Sequence, residues 1–156
     1  MGWKRCTEAG TLPASLLIGM VLLTGCGVQV SSTSNLTGAT LSCPDFVNNV
    51  FPVLTTPIGG KACSDCHYSG STTGGGFKFY PQATSGSSEM TSDYYAALGF
   101  SDLNTPTSSR LLLKPLGDPS VGGHGGGAIF SGTSDVNYLV VLAWINNRIQ
   151  GPSQCP

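Results

Sequence analysis

The pentapeptide Cys63-Ser64-Asp65-Cys66-His67 constrains this chain more than any other stretch, because two thiols so spaced, with an imidazole directly after them, suit few chemistries. A structural zinc site takes four ligands, usually from a second Cys or His pair. Beyond residue 25 the only other histidine is His124, and the other cysteines lie towards the ends of what remains. A thiol redox pair sits within an alternating β/α pattern, and no such alternation runs through this sequence. Covalent haem attachment needs two thiols spaced for two vinyl groups and an imidazole placed under the iron, and the motif supplies all three. The expectation is one haem c, bound through Cys63 and Cys66, with His67 as the proximal ligand of its iron.

The N-terminus reads as an export signal. Lys4 and Arg5 precede an apolar run from Leu12 to Leu23 that is too short to span a bilayer comfortably. It ends in Leu23-Thr24-Gly25-Cys26, which resembles the lipobox of bacterial lipoproteins. That resemblance implies a signal peptide over residues 1–25 that is removed, and a Cys26 thiol carrying diacylglycerol; the alternative is a core cysteine that follows a hydrophobic segment. Two or three acyl chains anchor a domain stably where one does not. Gly27 replaces the aspartate that marks inner-membrane retention in that family, so the resemblance implies the outer membrane, facing the periplasm or the cell surface. Residues 26–41 then form a lipidated, flexible tether, and residues 42–156 one small domain. Without the signal, five basic and seven acidic side chains remain, a net charge of 5 − 7 = −2, which excludes nucleic acid as a partner.

Cys43 and Cys155 stand at the two ends of that domain, and an exported chain permits a disulfide between them. Two unrelated thiols, or pairing with another chain, are the alternatives. Pro44 in a first helical turn, followed by Phe46, Val47, Val50, Phe51 and Leu54, predicts a helix bent or cut short by Pro52. Gly74-Gly75-Gly76 turns into the aromatic stretch Phe77 to Tyr80, which suits either the core or a porphyrin wall. Ser92 is the expected cap of a helix through Leu98, and Ser109 to Lys114 give one or two turns stopped by Pro115 and Gly117. The last helix, capped by Ser134 or Asp135, places Tyr138, Val141, Leu142, Ile145 and Ile149 on one face, with Trp144 on its flank. The pattern predicts a small all-α domain of three to five helices with long loops wrapped around the haem.

The other face of the iron has two candidate ligands. Met90 is the only methionine left after the signal, and His124 lies within "VGGHGGGAIF" among five glycines. Glycines let a backbone pass close to a flat ring and adopt positive φ. The expectation is His124 as distal ligand, with Met90 or an open position as alternatives.

The order of these landmarks resembles the single-haem cytochrome c domains of exported bacterial proteins. The resemblance rests on Phe46-x-x-x-Val50-x-Pro52-x-Leu54, the haem motif, the Gly-Gly turn, "SRLLLKPLG", the glycine loop and a last helix containing Trp144-Ile145. Many relatives carry Gly-x-Met-Pro where this chain has Gly123-His124-Gly125-Gly126. The departure favours His124 and implies a lower potential than a Met/His pair. It also makes Arg110 and Lys114 candidates to neutralise haem propionates, against the plainer reading of solvated surface charges. The resemblance implies a membrane-tethered electron carrier with redox protein partners rather than an enzyme. A five-coordinate haem enzyme or gas sensor, and a structural haem subunit, are the competing readings.

Overall fold

The structure, a computed structural model, describes residues 39–150 and 153–155. The signal, Cys26 and most of the tether lie outside the described residues. Element by element, the chain runs from β1 (Ala39–Leu41) through α1 (Cys43–Asp45), a π-helical turn (Phe46–Val50) and α2 (Phe51–Thr55), to α3 (Ser88–Gly99), α4 (Arg110–Leu113), α5 (Val136–Asn146) and β2 (Arg148–Gln150). Three-residue 3-10 turns at Cys63–Asp65, Pro106–Ser108 and Pro119–Val121 punctuate the long loops.

The all-α expectation is overturned. β1 and β2 form a two-stranded antiparallel sheet, with Thr40 opposite Ile149. Three residues assigned to the tether are thus pinned to the end of the chain. Ile149 belongs to a strand and not to the last helical face. The helix stops at Asn146 because Asn146 and Asn147 are weak helix formers, and Asn147 leaves the helical region at φ −88°, ψ 71°. Tertiary bonds then hold the opposite strand: the Tyr94 hydroxyl donates to the Leu41 carbonyl at 2.7 Å and accepts from Thr40 Oγ1 at 2.9 Å.

Cys43 and Cys155 are joined by a disulfide, Cα to Cα 4.9 Å. The Cys43 amide donates to Ser153 Oγ at 2.6 Å beside it. Trp144, expected on a flank, lies at the centre of the core: it is 1% exposed and its Nε1 donates to the Ser42 carbonyl at 2.8 Å. Phe46 packs between it and Tyr94, with ring centres 5.5 and 5.9 Å away. These contacts join the π turn to α3 and α5.

Pro52 does not break the first helical segment. It lacks the N–H that would bond four residues back, and the chain widens to a π turn just before it, so Phe46 and Val50 stay buried. The third helix begins earlier than Ser92 suggested. Ser87 is its cap, accepting from the Met90 amide at 3.1 Å, and Ser92 sits inside, its hydroxyl returned to the Ser88 carbonyl. The longer helix buries Met90 in the core. Asp135 caps α5 as expected, accepting from the Asn137 amide at 2.8 Å.

One core group is charged. Asp93 is fully buried; its Oδ1 accepts from the Tyr80 amide at 2.8 Å, and its Oδ2 has no partner among the described residues. Burial pushes its carboxyl up to about 6, the Tyr80 amide opposing and the Glu89 charge adding.

Two outcomes are expected. Replacing Cys43 and Cys155 by serine removes a 112-residue closure and lowers stability by roughly 4 to 5 kcal/mol, measured by urea unfolding. For Asp93, the folded pKa lies above the unfolded one, so ionisation costs folding free energy. That cost is absent below about pH 4 and complete above about pH 6. Asp93→Asn therefore flattens the decline in stability between pH 4 and 7, gaining up to about 3 kcal/mol on wild type at the upper end.

Candidate functional site

A cavity of about 610 Å³ opens between the loop after α2, α4, the glycine loop before α5 and α5 itself. That volume lies within the range of small-molecule and cofactor pockets. Leu54, Leu111, Phe130 and Val141 give it an apolar floor, and Phe77 and Phe100 one wall. Cys63, Cys66 and His67 line one side, and His124 with Gly125 and Gly126 lines another. Met90 does not reach it.

The Cys63–Asp65 turn presents the motif. Asp65 Oδ2 accepts from the Ala62 amide at 2.8 Å, and the His67 amide donates to the Cys63 carbonyl at 2.9 Å. Both Cys63 and Cys66 are free thiols. Burial pushes the Cys63 thiol up to about 11, partly offset by a backbone hydrogen bond, and the Asp65 charge adds to it. A thiol–disulfide catalyst needs the opposite, a lowered thiol pKa.

His67 is held from behind. Its Nδ1 lies 2.9 Å from the Phe77 carbonyl; a carbonyl only accepts, so this nitrogen carries the proton. The Phe79 amide donates to the His67 carbonyl at 2.9 Å, and the Ser69 amide to the Phe79 carbonyl at 2.7 Å. The aromatic stretch Phe77 to Phe79 thus braces the motif's backbone as well as walling the cavity. Burial lowers the His67 pKa, partly opposed by the Phe77 carbonyl, which favours the neutral imidazole that a metal requires.

His124 mirrors this arrangement. Its Nδ1 lies 2.7 Å from the Gly127 carbonyl. The two imidazole rings lie with centres 5.9 Å apart and planes within 10° of parallel. Among the described residues neither Nε2 has a hydrogen-bond partner. Metal–imidazole bonds run about 2 Å, so two rings sharing one ion place their centres roughly 6 Å apart. Metal-bound histidines also commonly give their other ring N–H to a carbonyl. The donor set, the spacing and the adjacent thiols fit a haem c.

Arg110 and Lys114 both line the cavity. The Arg110 guanidinium stands over the Phe100 ring at 5.8 Å, and Lys114 Nζ donates to the Gly123 carbonyl at 2.7 Å. Two contributors were invisible in the sequence. Lys61 also lines the cavity, its Nζ donating to the Gly126 carbonyl at 3.1 Å; an isolated lysine near a motif carries no signal. Gly74, at φ +78°, passes so close that an added Cβ would lie 2.5 Å from the Cys66 carbonyl oxygen and 2.8 Å from His67 Nδ1. Its triplet with Gly75 and Gly76 signalled a turn, not a contact.

Nitrogen NMR is expected to find both neutral imidazoles protonated on Nδ1. Gly74→Ala is expected to shift the His67 ring signals, leave those of His124 in place, and destabilise the fold by about 1 to 3 kcal/mol.

Comparison of the chain with family models, curated proteins and solved structures finds no match, so these side chains alone carry the functional reading.

Proposed function

We propose that this chain is a monohaem c-type electron carrier, tethered to a membrane by the lipidated Cys26 and exchanging single electrons with redox protein partners. The observation that carries the reading is the His67–His124 pair, 5.9 Å apart across a cavity lined by two free thiols. Cys63 and Cys66 would hold the haem by thioethers, and His67 and His124 would take its two axial positions. The haem, when bound, supplies reversible one-electron chemistry at its iron.

The chain's own residues supply three things. The Phe77 and Gly127 carbonyls fix both imidazoles in the Nδ1–H tautomer, which leaves each Nε2 free to ligate. The apolar floor and the Phe77 and Phe100 rings exclude water from the pocket, a lever on redox potential. Arg110 and Lys114 place positive charge at its edge, where propionates would sit, although Lys114 spends one donor on Gly123. Two imidazoles would give a bound haem a lower potential than an imidazole with a methionine. With Met90 committed to the core, the described residues offer no methionine for that place.

An absorption spectrum of the matured protein tests the reading. The expected result is a low-spin spectrum without the methionine-to-iron charge-transfer band and indifferent to carbon monoxide. His124→Ala should become high-spin and bind carbon monoxide, and replacing both Cys63 and Cys66 by alanine should abolish covalent haem. A wild-type protein that is already high-spin and binds carbon monoxide points instead to an enzyme or sensor with an open distal face.

A further inference from the structure

The distal histidine sits on an unusual support. Gly122, Gly123 and Gly127 all take positive φ, at +77°, +62° and +76°. A glycine-rich segment loses more conformational entropy on ordering than any other, so such a loop places a ligand poorly unless something outside it holds it. Two lysines do so from different parts of the fold. Lys114, following α4, donates to the Gly123 carbonyl at 2.7 Å. Lys61, paired with Ile58 in the turn just before Cys63, donates to the Gly126 carbonyl at 3.1 Å. The two carbonyls bracket His124, one residue before it and two after. Lys61 therefore ties the loop that carries the thiols directly to the loop that carries the opposite imidazole, across 65 residues of sequence.

We infer that Lys61 and Lys114 are positioning residues that clamp His124 in place and set how readily the sixth coordination position opens. The inference rests on the bis-imidazole reading and adds to it a control point. With both clamps closed, the protein holds two nitrogen ligands through redox cycling; with them released, His124 swings on its glycines and the iron can take an external ligand. Charge-assisted bonds from an ammonium to a carbonyl are stronger than neutral ones, so neutral side chains of similar length should loosen the loop without emptying the core.

The test uses the haem-loaded protein and follows carbon monoxide binding to the reduced form. The double variant Lys61→Met/Lys114→Met is expected to bind at least roughly tenfold faster than wild type, two charged hydrogen bonds having been lost. Rates are referred to covalent haem content by mass, and backbone amide exchange should rise at Gly123 to Gly127. Lys61→Arg/Lys114→Arg, which keeps the donors, should stay close to wild type, and His124→Ala sets the fast limit. A low-spin wild type whose rate the double methionine variant does not change overturns the clamp and leaves the bis-imidazole reading standing. A wild type already as fast as His124→Ala overturns both. Should the double variant fail to take up haem, the single variants decide: each must accelerate binding, and neither doing so overturns the inference.

Discussion

The structure depends on the closure of its two ends. The Cys43–Cys155 bond fastens the start of the helical domain to its last residues, and β1 and β2 lie immediately outside α1 and α5. Trp144 fills the space within, its indole held by the Ser42 carbonyl. Such a closure matters more here than in a helix-rich domain. The helices are short, long glycine-bearing loops connect them, and each ordered loop residue costs conformational entropy that few contacts offset. A crosslink that spans nearly the whole domain removes part of that cost from the unfolded chain.

Backbone carbonyls, more than side chains, shape the candidate site. The Phe77 and Gly127 carbonyls orient the imidazoles, and those of Gly123 and Gly126 receive the lysines. Gly74 lets the backbone come close enough to crowd His67. The abundance of glycine thus has two opposed consequences: it permits close approaches that other residues would block, and it leaves the loops in need of outside pins. Lys61, Lys114 and the Phe79–His67 backbone bond provide those pins.

The site was legible in the sequence where its chemistry is local. A thiol–thiol–imidazole spacing can be read from five residues, and His124 stood out because candidates for the opposite face were few. The Asp135 cap was legible for the same reason, since capping acts within one turn. The misreadings concern long-range contacts. Trp144 looked like a flank residue because its partners, Ser42 and Phe46, are about a hundred positions away. The strands were missed because three-residue segments have no pattern of their own, and only pairing to each other defines them. Ser87 had no local feature to set it apart from Ser92, and only burial of Met90 and Tyr94 starts the helix a turn earlier.

Sequence alone thus determined that two thiols and an imidazole stand within five residues and that one further imidazole is available, because residue identity and short spacing dictate which bonds a segment can form. Tertiary structure decided that Cys43 meets Cys155, that Met90 goes to the core, and that His124 faces His67 with both rings anchored through Nδ1. Those outcomes depend on which distant surfaces bury each other, and burial is a property of the folded whole rather than of any stretch of chain.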